Sequence, residues 1–360
     1  MILRVPWSEP SMGEDELSLV LKVLKSGWLG QGPQVKMLEE LFKKRVGAQE
    51  AIAVSSGTAA LHCALLAAGV KPGDEVIIPN LTFIATINVV LASGAKPVLV
   101  DVEPDTFNTS PELVAERITN RTKVIMPIDY AGMPIDIKGF EELAEDYGLI
   151  LIEDAAEAVG AEYRGRPVGG FNHITCFSFH IAKQMTTIEG GMITTNDAKY
   201  AERCRLVRNH GMAERYEHIF IGFNYRMTDL NAAIGIAQLK KLDSFLEHRS
   251  RIAAKYMSEL KDLARFQHVP PFVTKHPWMF FPILVENRDK LREHLARRGI
   301  DTRVCWKPVH MQPYHRRFFK GEKYPNAEEI YRHVLCIPIG NGISMDQVEY
   351  VITCIKEVLP

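Results

Sequence analysis

The chain has 360 residues, 46% hydrophobic and 24% charged, with a formal net charge of -1. This length favours two domains over one core, and the balanced charge indicates neither a nucleic-acid partner nor a membrane surface. The first residues lack an apolar run long enough for a signal peptide or a membrane span. Six scattered cysteines without a CxxC pair argue against a zinc site or disulfides, so we expect a cytoplasmic protein without a metal.

Two helices are predicted near the N-terminus. The segment from Ser11 to Glu14 fits a capping box, and leucines follow it at helical spacing. The glycines and proline of SGWLGQGP, at 26–33, end that helix. A second helix is predicted over 35–45.

An alternation of apolar strands and helices follows. Strands are predicted at 51–56, 74–80, 96–102, 123–129 and 149–155, and helices at 57–69, 83–93, 140–148 and 198–208. Continuous apolar strands alternating with helices indicate an α/β fold with a mostly parallel sheet covered on both faces. No GxGxxG opens a helix, so the pattern does not favour a dinucleotide site.

The pattern changes beyond the irregular segment 222–229. A long amphipathic stretch at 230–263 precedes apolar runs at 279–285 and 334–339 and helices near 288–298 and 345–358. We therefore predict a large domain over 1–240 and a smaller α+β domain over 241–360.

Three groups of polar residues lie at predicted strand ends, where open α/β sheets bind ligands. The first is Ser55-Ser56-Gly57-Thr58, where small residues would let a phosphate reach the N–H groups of a helix N-terminus. An ordinary N-cap explains the same residues.

The second group is Asp154, directly after the apolar run LILIE. A carboxylate that ends a buried strand needs a partner. A pyridinium nitrogen is one such partner, because PLP enzymes place an aspartate there. A helix cap or a salt bridge is the alternative.

The third group is Lys183 with Ser178, in the stretch ITCFSFHIAKQMTTIEGG at 174–191. A desolvated lysine can form a Schiff base with an aldehyde, although most lysines in polar loops are solvated surface charges. Together the three groups would supply a phosphate cradle, an acid for a ring nitrogen and an amine for an aldehyde.

The sequence resembles the nucleotide-sugar aminotransferases of the DegT/StrS type. The resemblance is carried by four segments in this order: SSGT, IEDAAEAVG, FSFHIAKQMTTIEGGM and GFNYRMTDLNAAIG. The likeness runs from 26–33 to 308–314. It implies the aspartate-aminotransferase fold (PLP fold type I) and a homodimer with shared active sites. One position departs: the family usually reads TTGEGG, and here Ile188 replaces the first glycine.

The resemblance implies a role for each matched residue. Lys183 would carry pyridoxal 5'-phosphate, Asp154 would face its ring nitrogen, and Glu157 would lie near the ring 3-hydroxyl. The remaining matches are Gly57, Thr58 and Ser178 for the phosphate, Phe83 for stacking on the ring, and Asn224 for the phosphate of the neighbouring subunit's cofactor. For Phe83, packing on a helix face is the alternative.

The resemblance also implies the reaction. Glutamate would donate an amino group to a keto sugar nucleotide, at carbon 4 because GFNYRMTDLNAAIGIAQL and the His-Pro-Trp segment at 276–278 are similar to perosamine-synthase-type enzymes. Amination at carbon 3, a PLP-binding regulatory or lyase relative, and a non-catalytic α/β module are the alternatives. Candidate substrate residues are Trp28, Lys307, His310 and Tyr314, and for His310 a structural role is an equal alternative.

Overall fold

The computed structural model describes residues 4–359. The helices, numbered in chain order, are α1 (Glu14–Ser26), α2 (Pro33–Val46), α3 (Gly57–Ala67), α4 (Ala85–Ala92), α5 (Pro111–Ala115), α6 (Ile137–Tyr147), α7 (Ala198–Arg208), α8 (Asp229–Leu260), α9 (Arg288–Arg297), α10 (Pro325–His333) and α11 (Met345–Lys356). None of the helices in this part of the chain is long and apolar enough to cross a membrane.

The main strands are β1 (Glu50–Val54), β2 (Glu75–Pro79), β3 (Lys96–Val100), β4 (Thr122–Ile125), β5 (Ile150–Asp154), β8 (Ile174–Ser178), β9 (Gly191–Thr195), β14 (Phe281–Leu284) and β15 (Val334–Ile337). The short strands are β6 (Glu162–Tyr163), β7 (Arg166–Pro167), β10 (Met212–Glu214), β11 (Glu217–His218), β12 (Arg265–Phe266) and β13 (Val273–Lys275).

Seven strands form the large sheet, in the order β1-β9-β8-β5-β4-β2-β3. Strands β8, β5, β4, β2 and β3 are mutually parallel, whereas β9 runs antiparallel to both of its neighbours, β1 and β8. Helices cover both faces and bury the strands in two apolar clusters. The predicted mostly parallel α/β sheet is confirmed.

The predicted capping box at Ser11 is wrong. Helix α1 starts at Glu14 after Gly13, and the Gly13 N–H donates to the Glu16 carboxylate at 2.8 Å. Glu16 is also bound by Lys241 of α8, at 2.8 Å. This contact between α1 and α8 fixes the helix start two residues later than the local pattern indicates.

The C-terminal part contains a second sheet, in the order β12-β14-β15. Helix α8 leads into it as one continuous element of 32 residues, close to the predicted amphipathic stretch. Because residues 240 and 241 both lie inside α8, the domain boundary at that point stays a prediction.

Candidate active site

A cavity of about 340 Å³ opens where β1, β5 and β8 end. The apolar strands carry their last residues to this edge, and the polar residues that follow them turn into the cavity. Seven of the eight predicted cofactor-binding residues line it, namely Gly57, Thr58, Phe83, Asp154, Glu157, Ser178 and Lys183. The edge of the sheet therefore gathers residues that are up to 126 positions apart in the chain.

The start of α3 forms one wall of the cavity. Ser56 caps the helix, and its hydroxyl accepts the Ala59 N–H at 3.0 Å. A Cβ on Gly57 would lie 2.7 Å from Ser178 Cβ and 3.1 Å from Ser178 Oγ. Only glycine fits here, so the first N–H groups of α3 are left open to an anion.

Asp154 is the buried acid of the site. Its Oδ2 accepts from Thr86 Oγ1 at 2.9 Å, and its Oδ1 accepts the Ala156 N–H at 3.3 Å. Burial raises the pKa of Asp154, while these two hydrogen bonds and the charge of Lys183 lower it. A cation in the cavity would supply the charge that favours the ionised carboxylate.

Glu157 and Lys183 form the polar pair of the site. Lys183 Nζ lies 3.7 Å from Glu157 Oε1, and its side chain is only 12% exposed. The other oxygen, Glu157 Oε2, accepts the Ala131 N–H at 2.9 Å. Burial raises the pKa of Glu157 to about 7, against the lowering effect of Lys183. The alternative of a solvated surface lysine is therefore wrong.

The loop after Lys183 turns at Ile188, the position that departs from the family pattern. Ile188 has φ 71°, in the left-handed region that favours glycine. Its N–H donates to Thr186 Oγ1 at 2.7 Å, and its side chain is half exposed. The turn thus adopts a conformation suited to glycine, at the cost of backbone strain.

Five predicted residues lie outside this cavity within one chain: Trp28, Asn224, Lys307, His310 and Tyr314. Trp28 and Tyr314 are largely exposed, and Asn224 is exposed beside Asn209. Their binding roles stay predictions.

His310 has protein partners on both ring nitrogens. Its Nδ1 is 2.8 Å from Asn80 Nδ2, and its Nε2 is 3.2 Å from Glu328 Oε1. This environment favours the structural alternative for His310.

Several residues that line the cavity had no predicted role, among them Trp7, Thr86, His180, Met279 and Trp306. Thr86 lies in the first turns of the helix predicted over 83–93, just after PNLTFIA, where a hydroxyl could have been read as a site group. Trp7 and Trp306 carry no such signal, because contacts between distant parts of the chain bring them here.

The site fits pyridoxal phosphate on its own geometry: an anion cradle that a Cβ would fill, a buried acid and a largely buried amine face one cavity. This arrangement, at the edge of a mostly parallel seven-stranded sheet, defines the class of PLP-dependent fold type I aminotransferases. More specifically, the chain belongs to the DegT/DnrJ/EryC1/StrS aminotransferase family, whose model matches residues 10–356. The protein is accordingly an enzyme, and its cofactor is pyridoxal 5'-phosphate.

Several relatives support this assignment. The chain is 38% identical to the uncharacterized protein MJ1066 of Methanocaldococcus jannaschii, over 99% of this chain and 97% of that protein. DesV of S. venezuelae, solved in complex with a ketimine intermediate, is 37% identical, with a TM-score of 0.92 over 95% of this chain and 93% of its own. Spr1654 of Streptococcus pneumoniae, solved in its PLP form, is 28% identical, with a TM-score of 0.92 over 99% of this chain and 100% of its own.

Proposed function

We propose that the enzyme transfers an amino group from glutamate to the carbon-4 keto group of a nucleotide-linked deoxy sugar. The observation that carries the chemical part is the position of Lys183 Nζ, largely buried and 3.7 Å from Glu157 in a cavity shared with Asp154. The sugar part rests on membership of a sugar aminotransferase family. The carbon-4 assignment rests on the resemblance of 222–239 to perosamine-synthase-type enzymes.

When bound, the cofactor supplies an aldehyde for amines and a ring that withdraws electrons. Lys183 would hold it covalently through Nζ, and the amine of glutamate would free Nζ by taking its place. The released Nζ then takes the proton from the donor Cα as a general base and returns a proton as a general acid. Partial burial of Lys183 keeps bulk water from competing for this proton.

Asp154, Glu157 and Gly57 act around this amine. Asp154 would keep a proton on the ring nitrogen, and Thr86 orients Asp154 through its 2.9 Å hydrogen bond. Glu157, 3.7 Å from Lys183 Nζ, would lie near the ring 3-hydroxyl of the cofactor. Gly57 leaves the N-terminus of α3 free for the phosphate.

Borohydride reduction tests the assignment of the amine. The purified protein should be yellow, and reduction should fix the cofactor onto a peptide that contains Lys183. We expect Lys183→Ala to lack this label and to lose turnover, because the amine that would bind the cofactor and accept the proton from the donor Cα is then missing. Turnover by Lys183→Ala would overturn the mechanism.

The substrate is tested by assay. Adding glutamate should convert the bound cofactor to its amine form, and a keto sugar nucleotide should reverse this, as a ping-pong reaction requires. A panel of 4-keto and 3-keto sugar nucleotides decides the position. Faster reversal by 3-keto compounds would refute carbon 4, and no response to glutamate would favour the lyase or regulatory alternative.

We further propose a homodimer with shared active sites. Asn224 is exposed outside the cavity of its own chain, and the large apolar side chains of Tyr216, Ile219 and Ile221, nearby in sequence, are exposed as well. A homodimer that uses this segment would bury such side chains.

Mixing two inactive variants tests the sharing of sites. In a dimer of Lys183→Ala with Asn224→Ala, one site keeps both Lys183 and the other chain's Asn224. A statistical mixture should therefore recover about a quarter of wild-type activity by isologous pairing. No recovery after exchange of subunits would refute sharing through Asn224.

A further inference from the structure

Arg249 on α8 is a buried cation without an acidic partner. It is 1% exposed, and among residues 4–359 no carboxylate forms an ion pair with its guanidinium. It donates instead to Asn341 Oδ1 at 2.7 Å, to the Trp278 carbonyl at 2.8 Å and to the Met279 carbonyl at 3.1 Å. Burying a guanidinium against neutral acceptors is costly, so these bonds call for an explanation.

One chain of hydrogen bonds runs from Arg249 to the carboxylate of Glu157. Arg249 binds the Met279 carbonyl, and the Met279 N–H donates to the Ala131 carbonyl at 2.9 Å. The Ala131 N–H in turn donates to Glu157 Oε2 at 2.9 Å. This is the only hydrogen bond that residues 4–359 give to the Glu157 carboxylate apart from its pairing with Lys183.

A second chain runs from Arg249 to the main chain beside Lys183. Asn341 accepts from Arg249 and donates through Nδ2 to the Gln184 carbonyl at 2.9 Å. The Gln184 side chain donates to the Glu157 carbonyl. The two series of hydrogen bonds thus form a closed ring that starts and ends at Arg249. One series reaches the side-chain carboxylate of Glu157, and the other reaches its main-chain carbonyl.

The ring lies in tightly packed surroundings. Trp278 adopts φ 47°, an unusual conformation for a tryptophan, with its carbonyl held by Arg249. At Gly132, a Cβ would lie 2.5 Å from the Glu157 carbonyl oxygen and 2.8 Å from Pro277. A shift of the 276–279 segment would therefore move the Ala131–Gly132 turn, and with it Glu157.

We propose that Arg249 and Asn341 are positioning residues that hold the Glu157 carboxylate and the Lys183–Gln184 peptide in the geometry for proton transfer. The inference rests on the proposed function, in which Lys183 carries the cofactor and moves the proton. The planar guanidinium of Arg249 presents several N–H donors in a fixed geometry. A lysine, with one ammonium group on a flexible side chain, would not replace it. Neither residue lines the cavity.

Three variants and one control test this proposal in the cofactor-loaded protein. Arg249→Lys keeps the charge but loses the fork. Asn341→Ala breaks the ring at one point, whereas Asn341→Asp still accepts from Arg249 but cannot donate to the Gln184 carbonyl. Arg251→Lys makes the same change at an exposed arginine of the same helix that forms no ion pair within residues 4–359.

The measurements are the single-turnover rate with glutamate, the pH midpoint of the bound-cofactor absorbance, and thermal unfolding. We expect Arg249→Lys, Asn341→Ala and Asn341→Asp to react about tenfold more slowly, the loss that one misplaced hydrogen bond to a charged group produces. Arg249→Lys and Asn341→Ala should also move the pH midpoint by about 1 pH unit. Asn341→Asp should keep most of the thermal stability, and Arg251→Lys should match wild type in every measurement.

Two results would overturn the inference. One is wild-type rates and midpoints in the folded variants even if their melting temperatures fall, since the ring would then be structural only. The other is full recovery of the rate in Asn341→Asp, since the Gln184 half of the ring would then not position Lys183. If borohydride fails to label Lys183 in the wild-type protein, the proposed function itself fails, which separates the two cases.

Discussion

The buried charge of Glu157 should make the stability of the cofactor-free protein depend on pH. Burial raises the pKa of this carboxyl from 4.5 to about 7. Between these values the folded protein binds more protons than the unfolded chain, so the free energy of unfolding falls as the pH rises. The contribution of Glu157 is complete below pH 4.5 and is lost as the pH rises through 7.

The size of this effect follows from the pKa difference. At about 1.4 kcal/mol per pH unit, Glu157 should lower the free energy of unfolding by about 2.5 kcal/mol between pH 5 and pH 8. Burial also raises the pKa values of Asp129 and Asp154, which add slopes of the same sign. A comparison with Glu157→Gln isolates the part due to Glu157.

The assay is urea denaturation of both apoproteins at several pH values. Relative to wild type, Glu157→Gln should gain about 2.5 kcal/mol on going from pH 5 to pH 8. Glu145→Gln, at an exposed position of α6, is the control and should differ from wild type by a constant amount. A constant difference for Glu157→Gln as well would show that Glu157 is not a desolvated carboxyl.

Three further substitutions probe the other walls of the cavity. Gly57→Ala should lower cofactor affinity at least about tenfold, because its Cβ would lie 2.7 Å from Ser178 Cβ. Equilibrium dialysis measures this affinity. Gly30→Ala is the control that should be unaffected, because a Cβ at Gly30 would meet no atom within 4 Å. Thr86→Val removes the 2.9 Å hydrogen bond to Asp154 and should destabilise the apoprotein by about 2 kcal/mol at pH 8 by denaturation, the cost of a lost bond to a charged group; an unchanged stability would contradict the assigned contact. Asp154→Asn should still allow borohydride labelling of Lys183 but slow the glutamate half-reaction at least about 100-fold, since the ring nitrogen loses its acid; a wild-type rate in stopped-flow absorbance would refute the role of Asp154.

Much of the fold follows from local patterns. The strands at 75–79, 96–100 and 150–154 and the helix at 198–208 lie within the predicted segments, because each is a continuous apolar run or a periodic one bounded by polar residues. The short helix α5 and the β10–β11 hairpin were not predicted. A helix of five residues and a strand of three residues are too short to show a hydrophobic periodicity in the sequence.

The centre of the site was also predictable. Asp154 is the last residue of β5, and Gly57 and Lys183 lie in the segments just after β1 and β8. The ends of these strands meet at one edge of the sheet. The residues that support them were not predictable. Arg249, Asn341 and Trp306 reach the site region through tertiary contacts that no short motif encodes.

The antiparallel strand β9 explains how the two halves of the anion cradle come together. It lies between β1 and β8, and Gly191 pairs with Val54 on one side and with Ser178 on the other. A Cβ on Gly191 would lie 2.5 Å from the Ser56 carbonyl oxygen and 2.8 Å from that of Phe177. The strands can therefore close over this position only because it lacks a side chain, and their closure brings Gly57 within contact of Ser178. The glycines that follow the lysine loop thus serve the phosphate wall as well as the turn, and local sequence alone does not reveal this link.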